Sequence, residues 1–371
     1  MKKFLFLAFL IVLVISGIME NSNNSGEITK ETKMSRINTK EAEEEINKII
    51  DSMTVEEKIG QLVMMGIDGE NLDDNAKFML NEYHIGGVIL FDRNMKNPEQ
   101  VKTLTDGLKE ASNTKTTFLI ATDEEGGANA RLRGYIAPPT AAKVLGDSGD
   151  TEKAFNEMKA ASEKLKELGF NVNFAPVADL NLANNRFYSS DPSVTANFVK
   201  AAANGIYEGG LLPCVKHFPG LAAITSTGGA SLSNKPKIEL VSTDMYPYER
   251  LKEADFPYFI MVNHAVYQTI DQKPASLSKV MLKKVLRDEL DFQGVIITDD
   301  LSGAALTQYK PAERATKAIE AGADMILSCN KYEDAREMYL GLLEAYKKDK
   351  LTNIRLNESV KRIIKAKMMI K

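Results

Sequence analysis

The chain has 371 residues, 44% hydrophobic and 26% charged, with a formal net charge of −4. That is enough apolar material for one large core, and interspersed charges without a basic stripe argue against nucleic acid as a partner. The histidines are His84, His217 and His264 and the cysteines Cys214 and Cys329. Both cysteines sit in apolar segments and read as buried thiols, so neither a metal centre nor a cofactor is expected.

Lys2-Lys3 and the apolar run "FLFLAFLIVLVISGIM" come first. Residues 1–19 are predicted to be a signal peptide or membrane anchor, which exports the protein or holds it on the outer face of the cytoplasmic membrane. "VISGI" resembles a lipoprotein signal box, but Ile18 stands where the lipid-bearing thiol would be. No lipid can be attached there. Residues 20–40 are polar and aperiodic and read as a linker.

From residue 41 to 371 one domain is expected. Strand candidates are the continuous apolar runs at 61–67, 86–91, 116–122, 172–178, 211–218, 258–264, 294–300 and 324–329. Unbroken apolar runs suit strands buried on both faces. Helical patterns lie between them. Thr54 with Glu57 forms a capping box, and Asn97-Pro98 and Asp191-Pro192 each place a cap before a first-turn proline. Gly169 and Gly209 stand where left-handed helix stops are needed. Eight alternating units predict a closed (β/α)8 TIM-type barrel in preference to an open doubly wound sheet.

Barrel active sites lie at the C-terminal strand ends. The residues there are Arg93-Asn94, Asp123, Asp179, Lys216-His217, Asn263-His264 and Asp299-Asp300. Such a ring suits a ligand with many hydroxyls. Lys216 beside a histidine also permits a Schiff base, whereas "DEEGGANARLRG" lacks the spacing of a phosphate cradle. His84 precedes the second strand and is placed at the opposite end of the barrel.

"GGVILFDRN", "DEEGGANARL", "NFAPVADLN", "RFYSSDPSV", "KHFPG", "MVNHAVY" and "GVIITDDLSGAA", followed by "AIEAGADMIL", occur in this order here. In this the chain resembles glycoside hydrolase family 3, of the single-domain bacterial β-N-acetylglucosaminidase type without a C-terminal sandwich domain. The resemblance implies retaining cleavage of cell-wall-derived β-N-acetylglucosaminides, with Asp299 as the nucleophile. It implies that Asp123, Arg131, Arg186, Lys216, His217 and His264 bind the sugar. Asp300 is left a capping or supporting role.

The resemblance also implies an acid/base dyad on the loop after "KHFPG", where the family reads "KHFPGHGDTxxDSH". This chain reads "KHFPGLAAITSTGG". Leu221 replaces the first His, Ala223 the first Asp, Thr227 the dyad Asp and Gly229 the dyad His. Residues 220–236 contain no Asp, Glu or His. Impaired hydrolysis is therefore expected, or glycan binding without cleavage. The Gly, Ser, Thr and Ala content of this segment predicts a flexible lid.

Overall fold

The computed structural model describes residues 39–182, 185–222, 224–227 and 230–370. The predicted targeting segment and the linker up to residue 38 lie outside the described residues, as do Ala223 and Gly229. The chain divides into two compact units, Met1–Asn47 and Lys48–Lys371. The described part of the first begins the helix Lys40–Asp51, whose first turn carries Glu41 and Glu43, the charge sign a helix N-terminus favours.

In the second unit all eight predicted runs form strands. They are β1 (Val63–Gly66), β2 (Gly87–Ile89), β3 (Leu119–Thr122), β4 (Val172–Asn173) and β5 (Leu212–Phe218), then β8 (Phe259–Val262), β10 (Ile296–Asp300) and β11 (Met325–Ser328). They close into one parallel barrel in the order β1-β11-β10-β8-β5-β4-β3-β2. The closing register pairs Val63 with Ile326 and Met64 with Leu327. Helices follow the strands around the outside, so each strand is covered on both faces. Accordingly β1, β2, β3 and β8 are buried at every residue.

The local signals act as their chemistry requires. Thr54 Oγ1 accepts from the Glu57 amide at 3.2 Å, and Glu57 Oε2 accepts from the Thr54 amide at 2.7 Å. Asn97 and Asp191 cap the helices Pro98–Ala111 and Pro192–Glu208. Gly169 takes a φ of 96°, but the second stop is displaced by one residue. Gly209 is right-handed and Gly210, at φ 98°, makes the turn. Gly209 is small for another reason, since a Cβ there would sit 2.5 Å from Ser162 Cβ. β4 stops well short of residue 178. Pro176 has no N–H for the ladder, and pairing resumes as a single bridge from Val177 to Lys216.

In the segment after Gly220, β6 (Thr225–Thr227) and β7 (Ala230–Ser233) form an antiparallel hairpin. β7 pairs in parallel with β9 (Val266–Tyr267), in the connection that follows β8. Threonine favours extended backbone, and β9 offers an edge that the sequence of the loop alone does not reveal.

Candidate active site

The C-terminal strand ends surround a cavity of about 420 Å³ lined by Asp123, Arg131, Arg186, Lys216, His217 and Asp299, among others. These are six of the seven residues singled out from the sequence. Asp123 and Glu125 follow β3, Lys216 and His217 lie within β5, and Asp299 and Asp300 end β10.

Lys216 organises one side of the cavity. Its side chain is 3% exposed, and Nζ lies 2.7 Å from both Asp123 Oδ1 and Glu125 Oε1. Arg131 Nη2 donates to Asp123 Oδ2 at 3.1 Å. Arg186 grips Glu125 with two bonds, from Nε at 2.7 Å and Nη2 at 2.8 Å. The result is a continuous chain of alternating charge, Arg131–Asp123–Lys216–Glu125–Arg186. Burial opposes charge on Lys216, but the two carboxylates outweigh it and raise its pKa. Burial likewise opposes ionisation of Glu125, and Lys216 and Arg186 outweigh it to hold that carboxyl low. Such buried pairs are tolerable because each charge is matched and hydrogen-bonded.

His217 stands next along β5. Its Nδ1 lies 2.8 Å from Asp179 Oδ2, and Asp179 Oδ1 accepts the Leu221 amide at 2.8 Å. A carboxylate only accepts, so His217 Nδ1 carries a proton and donates it to Asp179. Asp179 thereby orients the ring and fixes Leu221, the residue that follows Gly220. Gly220 precedes it at φ 130°, where a Cβ would come within 2.7 Å of Asp244 Cβ. Tyr267 secures the same turn by donating to the Gly220 carbonyl at 2.5 Å.

Asp299 faces the cavity from β10. Burial opposes its ionisation, but His217 and His264, the Asp300 amide and Lys216 together hold its pKa below the ordinary value. Its Oδ1 accepts that amide at 2.7 Å. Asp300 supports the turn: Oδ1 accepts the Ser302 and Cys329 amides, each at 3.0 Å, and Oδ2 accepts from Asn330 at 3.1 Å.

His264, the seventh, is not among the residues that line the cavity. Its Nε2 donates to the Asp300 carbonyl at 3.0 Å, and its Nδ1 lies 2.7 Å from the Ser276 hydroxyl. With both nitrogens engaged, the ring braces the Asp299–Asp300 turn. His84, at φ 50°, lies against Gly60 ahead of β2. Glu125 was missed in the sequence, although it stands two residues from Asp123 in "DEEGG". The two-residue period of extended chain turns Asp123 and Glu125 to one side and Glu124 to the other.

Glu124 is fully buried. One carboxyl oxygen accepts the Leu132 amide at 3.1 Å, and the other has no partner among the described residues. Burial pushes its pKa up to about 7 from an ordinary 4.5. The folded state therefore keeps a proton that the unfolded chain releases. The stability this contributes is complete below pH 4.5 and is lost as pH rises to about 7, a decline of roughly 3 kcal/mol. Glu124→Gln is expected to abolish that decline, which urea denaturation at pH 5 and pH 8 measures. An unchanged pH dependence would show that Glu124 is ionised in the folded state.

The profile of the glycosyl hydrolase family 3 N-terminal domain matches residues 54–366. The β-hexosaminidase of Alkalilimnicola ehrlichii is 33% identical over 287 residues, covering 73% of this chain and 81% of that protein. The β-hexosaminidase of Neisseria gonorrhoeae is 34% identical over 285 residues, 72% of this chain and 78% of that one. Among solved structures, a family 3 β-N-acetylglucosaminidase from Paenibacillus superposes with a TM-score of 0.82 at 30% identity, over 86% of this chain and 63% of that one. A β-N-acetylhexosaminidase from Beutenbergia cavernae gives 0.78 at 27% identity, over 85% of this chain and 99% of that chain.

Proposed function

Because the chain belongs to glycosyl hydrolase family 3, we propose that it is a β-N-acetylhexosaminidase-type glycosidase that acts on cell-wall β-N-acetylglucosaminides with retention, using Asp299 as nucleophile. The observation that carries this is Asp299 itself. It is held ionised at the end of β10 and faces the same cavity as the Lys216 charge chain. Retention needs a carboxylate that attacks the anomeric carbon. Asp123, Arg131, Arg186, Lys216 and His217 then hold the sugar hydroxyls, with charged donors worth roughly 1.5–3 kcal/mol each. The cell-wall substrate fits export by the N-terminal segment.

The acid-free segment 220–236 favours a second reading, a wall-glycan binding protein on a hydrolase barrel. A single experiment separates the two. The protein lacking residues 1–25 is incubated with a 5-fluoro N-acetylglucosaminyl fluoride, whose fluoride leaves without a proton, and its intact mass is recorded. One added glycosyl mapping to Asp299 is expected. Sugar binding by calorimetry with no adduct would leave only the binding reading.

A further inference from the structure

A second cavity, of about 480 Å³, lies at the other end of the barrel. Phe118, Asn171 and Gly210 line it, and they stand shortly ahead of β3, β4 and β5. Asp299, by contrast, stands near the C-terminal end of β10. Two lysines line this second cavity. Lys109 is in the last turn of the helix Pro98–Ala111, and Lys166 is in the last turn of the helix Thr151–Glu167. A cation in a last turn complements the helix dipole. That accounts for the charges but not for where the ammonium groups sit. A Cβ at Gly169 would lie 3.0 Å from Lys109 Nζ, and one at Gly210 would lie 3.1 Å from Lys166 Nζ. Both side chains therefore lie across glycines of the cavity wall.

Among the described residues no Asp or Glu lines this cavity. Acids in the same helical turns are taken by other lysines: Asp106 by Lys102, Glu163 by Lys159 and Glu167 by Lys164. Burial lowers the pKa of Lys109 by more than Asp106 raises it. A third ammonium lies behind the wall. Lys367 is 3% exposed. Its Nζ donates to Gln61 Oε1 at 2.6 Å, to Thr116 Oγ1 at 3.2 Å and to the Gly86 carbonyl at 3.3 Å. All three acceptors are neutral, and burial pushes the pKa of Lys367 down to about 7. Thr116 itself lines the cavity. A buried charge without a counter-charge is costly, so an anion in this cavity would be attracted by all three lysines.

We propose that this cavity binds an organic phosphate ester, gripped by Lys109 and Lys166 at the end of the barrel away from the sugar site. Lysine binds phosphate as a point charge. A phosphate presents oxygens in several directions, so it can meet two ammonium groups from different helices and the Thr117 hydroxyl together, whereas a carboxylate presents only one edge. The volume is that of a small-molecule site and exceeds what a bare inorganic anion fills. Phe118, Phe170 and Ile370 supply apolar wall for the carbon part of the ester. A soluble polyol phosphate and a phospholipid headgroup offer this same chemistry.

The test titrates the full chain, held in nonionic detergent micelles, with glycerol 3-phosphate and with micelles carrying phosphatidylglycerol or phosphatidylcholine, read by calorimetry. A bound ester is expected to shield Lys109 and Lys166, but not Lys102 or Lys164, from acetylation by acetic anhydride, read by peptide mass. The double variant Lys109→Gln/Lys166→Gln should weaken binding by at least about tenfold. The control Lys102→Gln/Lys164→Gln removes the same net charge from the same two helices and should leave binding within about twofold. All four side chains are exposed, so both variants keep the fold. Displacement of glycerol 3-phosphate by phosphatidylglycerol but not by phosphatidylcholine would make the ligand a lipid headgroup; displacement by neither would make it a soluble ester. Equal losses in the two double variants, or no binding of either the soluble ester or phosphatidylglycerol, overturn the inference and leave the reading of Asp299 untouched.

Discussion

Asp299→Asn is expected to lower turnover of 2,4-dinitrophenyl N-acetyl-β-glucosaminide by at least about 10⁴-fold, because an amide cannot form the glycosyl ester. The substitution is nearly isosteric. The asparagine carbonyl can still accept the Asp300 amide that Oδ1 accepts now, so the turn at the end of β10 should persist. Sugar binding, read by calorimetry, should remain. Since the carboxyl is held below its ordinary value of 3.8, the acid limb of the wild-type pH–rate profile should also fall below that pH. Residual turnover within tenfold of wild type would remove Asp299 from the chemistry.

Lys216→Met should destabilise the fold by about 3–5 kcal/mol at pH 7.5, the usual consequence of removing one partner from a buried ion network. Methionine approximates the volume of the stem, so a cavity is not the main cause. The cause is that Asp123 and Glu125, now each 2.7 Å from Nζ, would face each other without the cation between them. Two carboxylates in one site cannot both stay ionised cheaply, and one pKa rises. The deficit should therefore shrink as pH falls towards about 5, where one of them takes up a proton. Urea denaturation at the two pH values measures this. Equal deficits would mean that the network does not hold the carboxylates charged, and a loss below about 1 kcal/mol would mean that it behaves as a surface pair.

The two variants probe parts of the site that were not equally legible. Asp299 and Lys216 stand at the ends of apolar runs, and a run that ends in a polar residue is a local signal. Glu125 was within reach of the same reading through its spacing from Asp123, yet "DEEGG" reads equally well as the solvated start of a loop. His264 was legible as a residue at the end of β8 but not as a brace. Whether a ring reaches the cavity or the Asp300 carbonyl depends on Ser276 and on the turn after β10, neither of which is near it in sequence. The hairpin after Gly220 was not legible either, because β7 finds its second neighbour in β9, beyond β8.

The amino-acid sequence by itself determined the number and order of the barrel strands, since burial on both faces is written as local runs of apolar residues. It determined which chemical groups stand at the rim, and that residues 220–236 carry no acid. The tertiary structure alone decided how those groups are paired. Lys216 meets Asp123 across 93 positions, and Arg186 meets Glu125 across 61. Those meetings exist only because barrel closure sets β3, β4 and β5 side by side. Partner choice is a property of which strand ends become neighbours, and no local pattern along the chain records it.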